Sequence, residues 1–89
     1  SPYGRRRDKI RIMVDILLEA LEGANKTRLV YRSNLNFSSL EEYVKFLVSR
    51  GLMEVVEGRE RCYKTTEKGV EFLKTYKKLE EMLGGGIIE

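Results

Sequence analysis

The sequence has no histidine and only one cysteine, Cys62. The usual ligand sets for zinc and haem are therefore missing, and a lone thiol closes no internal disulfide. Cys62 stands between Arg61 and Tyr63. A neighbouring guanidinium lowers a thiol pKa, but thiol catalysis also needs a partner base, so Cys62 reads as a small residue on a strand. No glycine-rich phosphate loop and no nucleophile with a base occurs along the chain, which argues against an enzyme and against a cofactor. Apolar runs are short as well. None approaches the ~18 residues of a membrane span, and there is neither a signal-peptide layout nor a low-complexity tract. The expectation is a soluble cytoplasmic protein with no membrane or small-molecule partner, in keeping with its cysteine usage.

What the chain holds in quantity is charge. Of its 89 residues 35% are charged and 42% hydrophobic, and the net charge is +3. That is material for one domain with one modest core. A core of this size lies near the lower limit of independent stability, so a second copy would help. The basic excess sits toward the front, at Arg5, Arg6, Arg7, Lys9 and Arg11. Residues 1–7 read as a basic arm suited to phosphate backbones, although solvated faces share this pattern.

Periodicity and caps divide the rest. A first helix is expected from about Asp8, its N-cap, to Glu22, with Gly23 after its last turn. Its polar residues Asp8, Arg11, Asp15, Glu19 and Glu22 form one narrow stripe, so the helix must be covered on more than one side. A short second helix runs from about Lys26 to Ser33 behind the cap Asn25, and Asn34-Leu35-Asn36 reads as a tight connection. The third helix is expected over about Ser39 to Arg50. Ser38 and Glu41 have capping-box spacing, Leu40, Tyr43, Val44, Leu47 and Val48 form the buried face, and Gly51 stops the helix. Leu52–Val56 and Arg61–Thr65 are rich in β-formers around a charged tip, which predicts a hairpin. Thr66 caps a fourth helix over about 67–83, and residues 84–89 read as a loose tail.

The order helix, helix, helix, hairpin, long helix is mainly α with one small β-hairpin. It predicts a winged helix-turn-helix over 8–66, an arrangement that reads DNA, although winged helices also serve as protein-interaction modules. Lys26–Phe37 looks like the second helix and turn of a known family, Leu40–Met53 like its recognition helix running into the wing, and Tyr63–Gly69 like the end of the wing. The chain thus resembles the archaeal winged-helix DNA-binding proteins, including chromatin-associated members that dimerise through a C-terminal antiparallel coiled coil. The resemblance spans about residues 8–83 and implies an archaeal source, double-stranded DNA as ligand, a homodimer and a nucleoid location. Two departures stand out. The fourth helix, roughly 25 Å at 1.5 Å per residue, is short beside the family's longest coils, and the third carries Glu41 and Glu42 with Lys45 as its only mid-helix base.

Candidate contacts follow from side-chain chemistry. Arg28 and Arg32 share a face at i, i+4 beside Lys26, Thr27 and Tyr31; they either meet phosphates or pair with glutamates. Ser38 and Ser39 are potential donors at a helix N-terminus, an anion-favouring place, or simple caps. Arg59 and Arg61 at the hairpin tip are suited to a minor groove, with Glu57 and Glu60 beside them lowering the local potential. Tyr43 and Phe46 resemble a stacking pair but fit core packing better. On the fourth helix, Gly69, Phe72, Tyr76, Leu79 and Leu83 follow spacings of three and four, a seam of about two heptads. That seam serves either dimerisation, through Phe72, Tyr76, Leu79 and Leu83, or packing within the chain. Two functions remain: a dimeric DNA-binding regulator or chromatin-type protein, and a winged-helix adaptor within a larger assembly.

Overall fold

The computed structural model describes residues 7–84. Four helices, α1 (Lys9–Glu19), α2 (Lys26–Ser33), α3 (Phe37–Ser49) and α4 (Glu67–Met82), surround an antiparallel hairpin of β1 (Met53–Val56) and β2 (Cys62–Thr65). The register pairs Met53 with Thr65 and Val56 with Cys62. Mainly helical with one hairpin, this is a winged helix with a C-terminal helix, as the residue pattern predicts. Among the described residues, no helix is long and apolar enough to cross a membrane.

Caps explain most boundaries. Asp8, Asn25 and Thr66 each turn a side-chain oxygen to the amide three residues on, at Arg11, Arg28 and Gly69, which satisfies a donor the helix itself leaves free. The start of α3 differs from expectation. Its cap is Asn36, whose Oδ1 accepts from the Ser39 amide at 2.7 Å, so Ser38 lies inside the first turn and Glu41 is not part of a capping box. Asn34, at φ 56°, closes α2 in the left-handed region, a conformation asparagine tolerates better than most residues. The two asparagines thus make the turn, with Leu35 between them packed against the core. α1 ends earlier than its apolar pattern suggests, at Glu19, with Ala20 as its C-cap.

A third β element was not expected. Ala24 exchanges two backbone hydrogen bonds with Tyr63, at 2.8 and 2.9 Å, so the wing is fastened to the α1–α2 connection. Thr65 adds to this fastening: its Oγ1 donates to the Leu17 carbonyl at 2.7 Å and its amide to the Ala20 carbonyl at 3.0 Å. The core lies where these elements meet, with Ile16, Leu17, Leu29, Leu40, Leu47 and Met53 fully buried.

The first turn of α4 lies against the end of α3. Thr66 Oγ1 donates to the Gly51 carbonyl at 2.6 Å, and Lys68 Nζ to the Arg50 carbonyl at 2.9 Å. Gly69 is buried in that contact: a Cβ there would collide with the Leu52 carbonyl oxygen and come within 2.6 Å of Thr65 Cγ2. Since backbone must move to admit a methyl group, Gly69→Ala is expected to destabilise the domain by about 1–3 kcal/mol. Urea unfolding should show a lower midpoint at unchanged slope; an unchanged midpoint would contradict this packing. Gly69 therefore serves contacts within the chain and does not belong to the seam in which its spacing places it.

Candidate nucleic-acid interface

The outward side of α2 presents Thr27, Arg28, Tyr31 and Arg32, all exposed, with Leu29 and Ser33 buried behind them. Tyr31 is 82% exposed, a large value for an aromatic ring with nothing to pack on. Arg28 is not free: its Nε lies 2.9 Å from Glu19 of α1. Arg32 has no ion pair among the described residues. Lys26, at the start of α2, points to where α2, α3 and the wing join. Its ammonium is 2.9 Å from Glu41, 5.8 Å from the Phe37 ring and 5.7 Å from the Tyr63 ring. The hydrogen bond that Lys26 donates to Glu41 raises the Lys26 pKa, and the same bond holds Glu41 below the ordinary carboxylate range. Hence the pair's contribution persists through neutrality. It fades as pH falls through the lowered Glu41 value or rises through the raised Lys26 value.

On α3, Ser38, Glu42, Lys45 and Ser49 are exposed opposite Leu40, Val44 and Leu47. Ser39 is half-buried, its amide occupied by Asn36. Tyr43 packs against the core as expected, but Phe46 does not. It is exposed, with the Arg50 guanidinium 4.8 Å from its ring centre. Core residues fill the inner side of the helix, and position 46 falls past its edge. A cleft between α3 and the wing is lined by Lys45, Ser49, Val55 and Arg61, with the Lys26–Glu41 pair at its floor.

At the wing tip, both acidic residues are committed. Glu57 holds Arg61 at 2.9 Å, and this hydrogen bond raises the Arg61 pKa. Glu60 accepts from Asn25 Nδ2 at 3.1 Å. Asn25 thus caps α2 with one side-chain atom and anchors the wing with another. Arg59 is exposed and has no ion pair among the described residues.

A family model for the winged helix-turn-helix matches residues 6–84. The chain belongs to the winged helix-turn-helix family. Among solved structures it is similar to Sso10a-2, a DNA-binding protein from the archaeon Sulfolobus solfataricus. That match has 29% identity and a TM-score of 0.72, covering 86% of this chain and 85% of the other. It is also similar in fold to BpsR of Bordetella bronchiseptica, whose DNA binding is regulated by 6-hydroxynicotinic acid. There the identity is 14% and the TM-score 0.69, over 89% of this chain and 58% of that one. No curated protein sequence matches the chain.

Within this winged helix-turn-helix, the expected contact residues fall into three groups. Arg32, Lys45 and Arg59 are exposed and have no ion pair among the described residues. Lys26, Arg28 and Arg61 are each paired with a glutamate. Arg7 is folded back: it lies 2.9 Å from Asp15 and donates to the Asn34 carbonyl at 3.4 Å, so it braces the turn. Arg5 and Arg6 lie outside the described residues. The polar stripe of α1 has the same character, with Asp15 holding Arg7 and Arg11, Glu19 holding Arg28, and Arg11 reaching Glu80 of α4 at 3.7 Å. Sequence reasoning found the Asn25 cap and missed the bond between Asn25 and Glu60. They are 35 positions apart, and no local pattern links them.

The seam on α4 splits in two. Phe72 packs against the chain's own core, and Tyr76 lies half-buried beneath the Arg11 guanidinium at 5.9 Å. Farther on, Leu79 is 48% and Leu83 59% exposed, with Met82 exposed beside them. Leu18 of α1 and Leu21 in the turn after it are also exposed, and they border a groove whose α4 side includes Val70, Leu73 and Tyr76. The wide apolar circumference of α1 is therefore only partly covered by the described residues.

Proposed function

We propose that this chain binds double-stranded DNA as a homodimer, as a transcriptional regulator or chromatin-type protein of the cytoplasm and nucleoid. The division of charge carries this reading. Glu19, Glu41 and Glu57 are bound to Arg28, Lys26 and Arg61, and Glu60 to Asn25, while Arg32 and Arg59 are exposed on the helix-turn-helix and the wing with no ion pair among the described residues. Phosphate contacts from such groups fix a protein on a duplex without reading sequence. The DNA-binding relative Sso10a-2 supports the same ligand, since it matches over most of both chains. The homodimer is supported by the exposed leucines of α1 and α4, because apolar side chains form the centre of such interfaces.

A titration of a labelled duplex at several salt concentrations tests this function. Each neutralised phosphate contributes about −0.9 to the slope of log affinity against log salt, so affinity should fall steeply as salt rises. No binding, or a flat profile, would favour the adaptor reading, to which the acidic Glu42 on α3 lends some weight. The Lys26–Glu41 pair supplies a sharper test. Glu41→Gln releases Lys26 toward phosphate, so the variant should bind duplex more tightly and with a slope steeper by about 0.9. An unchanged slope would mean that Lys26 never reaches the backbone.

A further inference from the structure

Glu42 stands where a DNA-binding surface would least be expected to keep a free carboxylate. At about 100° per residue, Ser38, Glu42, Lys45 and Ser49 occupy an arc of about 60°, diametrically opposite the core residues Leu40, Val44 and Leu47. Glu41, one position earlier, is neutralised by Lys26. Glu42 and Lys45 are exposed, and neither has an ion pair among the described residues. A carboxylate on this arc repels every phosphate it approaches, and is relieved only by a base-edge donor.

The major groove offers two such donors, the N4 amino group of cytosine and the N6 amino group of adenine. Adenine presents the acceptor N7 beside its amino group, which opposes a carboxylate; cytosine presents no acceptor there. The guanine paired with that cytosine displays O6 and N7, acceptors suited to a lysine. Glu42 and Lys45 are three residues apart, neighbours on one helix face about 5–6 Å apart at Cβ, so both can address the two bases of one pair. We infer that Glu42 and Lys45 together select a G·C pair in the major groove, Glu42 accepting from cytosine N4 and Lys45 donating to guanine. This rests on the DNA-binding reading above and adds a specificity-determining residue to it. Glu42 lowers affinity for duplexes in general and spares those that carry the pair.

The test is selection from a pool of random duplexes with the intact chain, followed by binding measurements on individual sequences. The unaltered protein should enrich a G·C pair at one fixed position. Changing that pair to A·T should weaken binding by about 5–150-fold, the usual range for a wrong base at a good contact. Glu42→Gln keeps the shape and supplies an amide that serves adenine; its penalty at that position should fall below about 2-fold, or reverse. Glu42→Ala should bind duplexes that lack the pair more tightly, with the same loss of discrimination. Both changes lie on an exposed side chain, and circular dichroism would verify that the fold persists. If the unaltered protein binds duplexes without a positional preference, or if the variants keep its preference, Glu42 is not a selector and this inference falls alone. If the unaltered protein retains no duplex at all, the DNA-binding reading fails and this inference goes with it.

Discussion

Arg59→Ala is expected to weaken binding to every duplex by about 10–150-fold, the range for losing one hydrogen bond to a charged group. The reason is the arrangement of the wing tip. Glu57 is bound to Arg61 and Glu60 is held by Asn25, and Arg59 is the exposed tip cation with no ion pair among the described residues. Arg61→Ala should cost less, because Arg61 must first give up Glu57 before it meets a phosphate. The double variant should in turn lose more affinity for unrelated duplexes than Lys45→Ala, whose effect should depend on sequence. Each lost phosphate contact should also reduce the salt slope by about one unit. Titrations against several unrelated duplexes decide the matter. If Lys45→Ala abolishes all binding while the wing variant binds normally, α3 carries the affinity and the wing does not.

The second large effect concerns association. Replacing Leu79 and Leu83 together by glutamate should convert a dimer into a monomer that keeps its fold, because both side chains are about half exposed and absent from the core. Fully burying a leucine is worth about 1.5–3 kcal/mol, so an interface that loses two leucines from each chain should not persist at micromolar concentration. Affinity for a duplex that engages both copies should then fall by about 100-fold or more, since the second contact is no longer tethered to the first. Light scattering on the unaltered and altered chains, with duplex titrations in parallel, gives both readouts. An unaltered chain that remains a monomer at high micromolar concentration would rule out the dimer.

Local chemistry was legible in the sequence, and distant pairing was not. The caps Asp8, Asn25 and Thr66, the asparagine-rich turn and the hairpin all follow from residues within a few positions of one another. The start of α3 was misplaced because Asn36 and Ser38 are both good caps with suitable neighbours, and only the backbone decides between them. The bridge from Ala24 to Tyr63 involves a single residue pair, so it leaves no alternating pattern to detect. Charge partners were hidden for a similar reason. Nothing near Arg28 in the chain points to Glu19, and nothing near Lys26 points to Glu41, until helices pack. A reading from basic residues alone leaves these partners out: Arg7 braces the turn, while Lys26, Arg28 and Arg61 have glutamate partners.

The seating of α4 on the end of α3 has a geometric consequence for the proposed dimer. Thr66 and Lys68 bind its first turn to the carbonyls of Arg50, Gly51 and Leu52, with Gly69 packed closely against Leu52, leaving little freedom for one helix to swing against the other. When two copies join through the far end of α4, the separation of their α3 helices is set by how many residues lie between Gly69 and Leu79. α4 then works as a ruler for the distance between the two half-sites on the duplex. Inserting one residue in that interval would turn one end against the other by about 100° and shift it by about 1.5 Å. Two copies so altered could still meet DNA singly, but their recognition helices would no longer face successive grooves together.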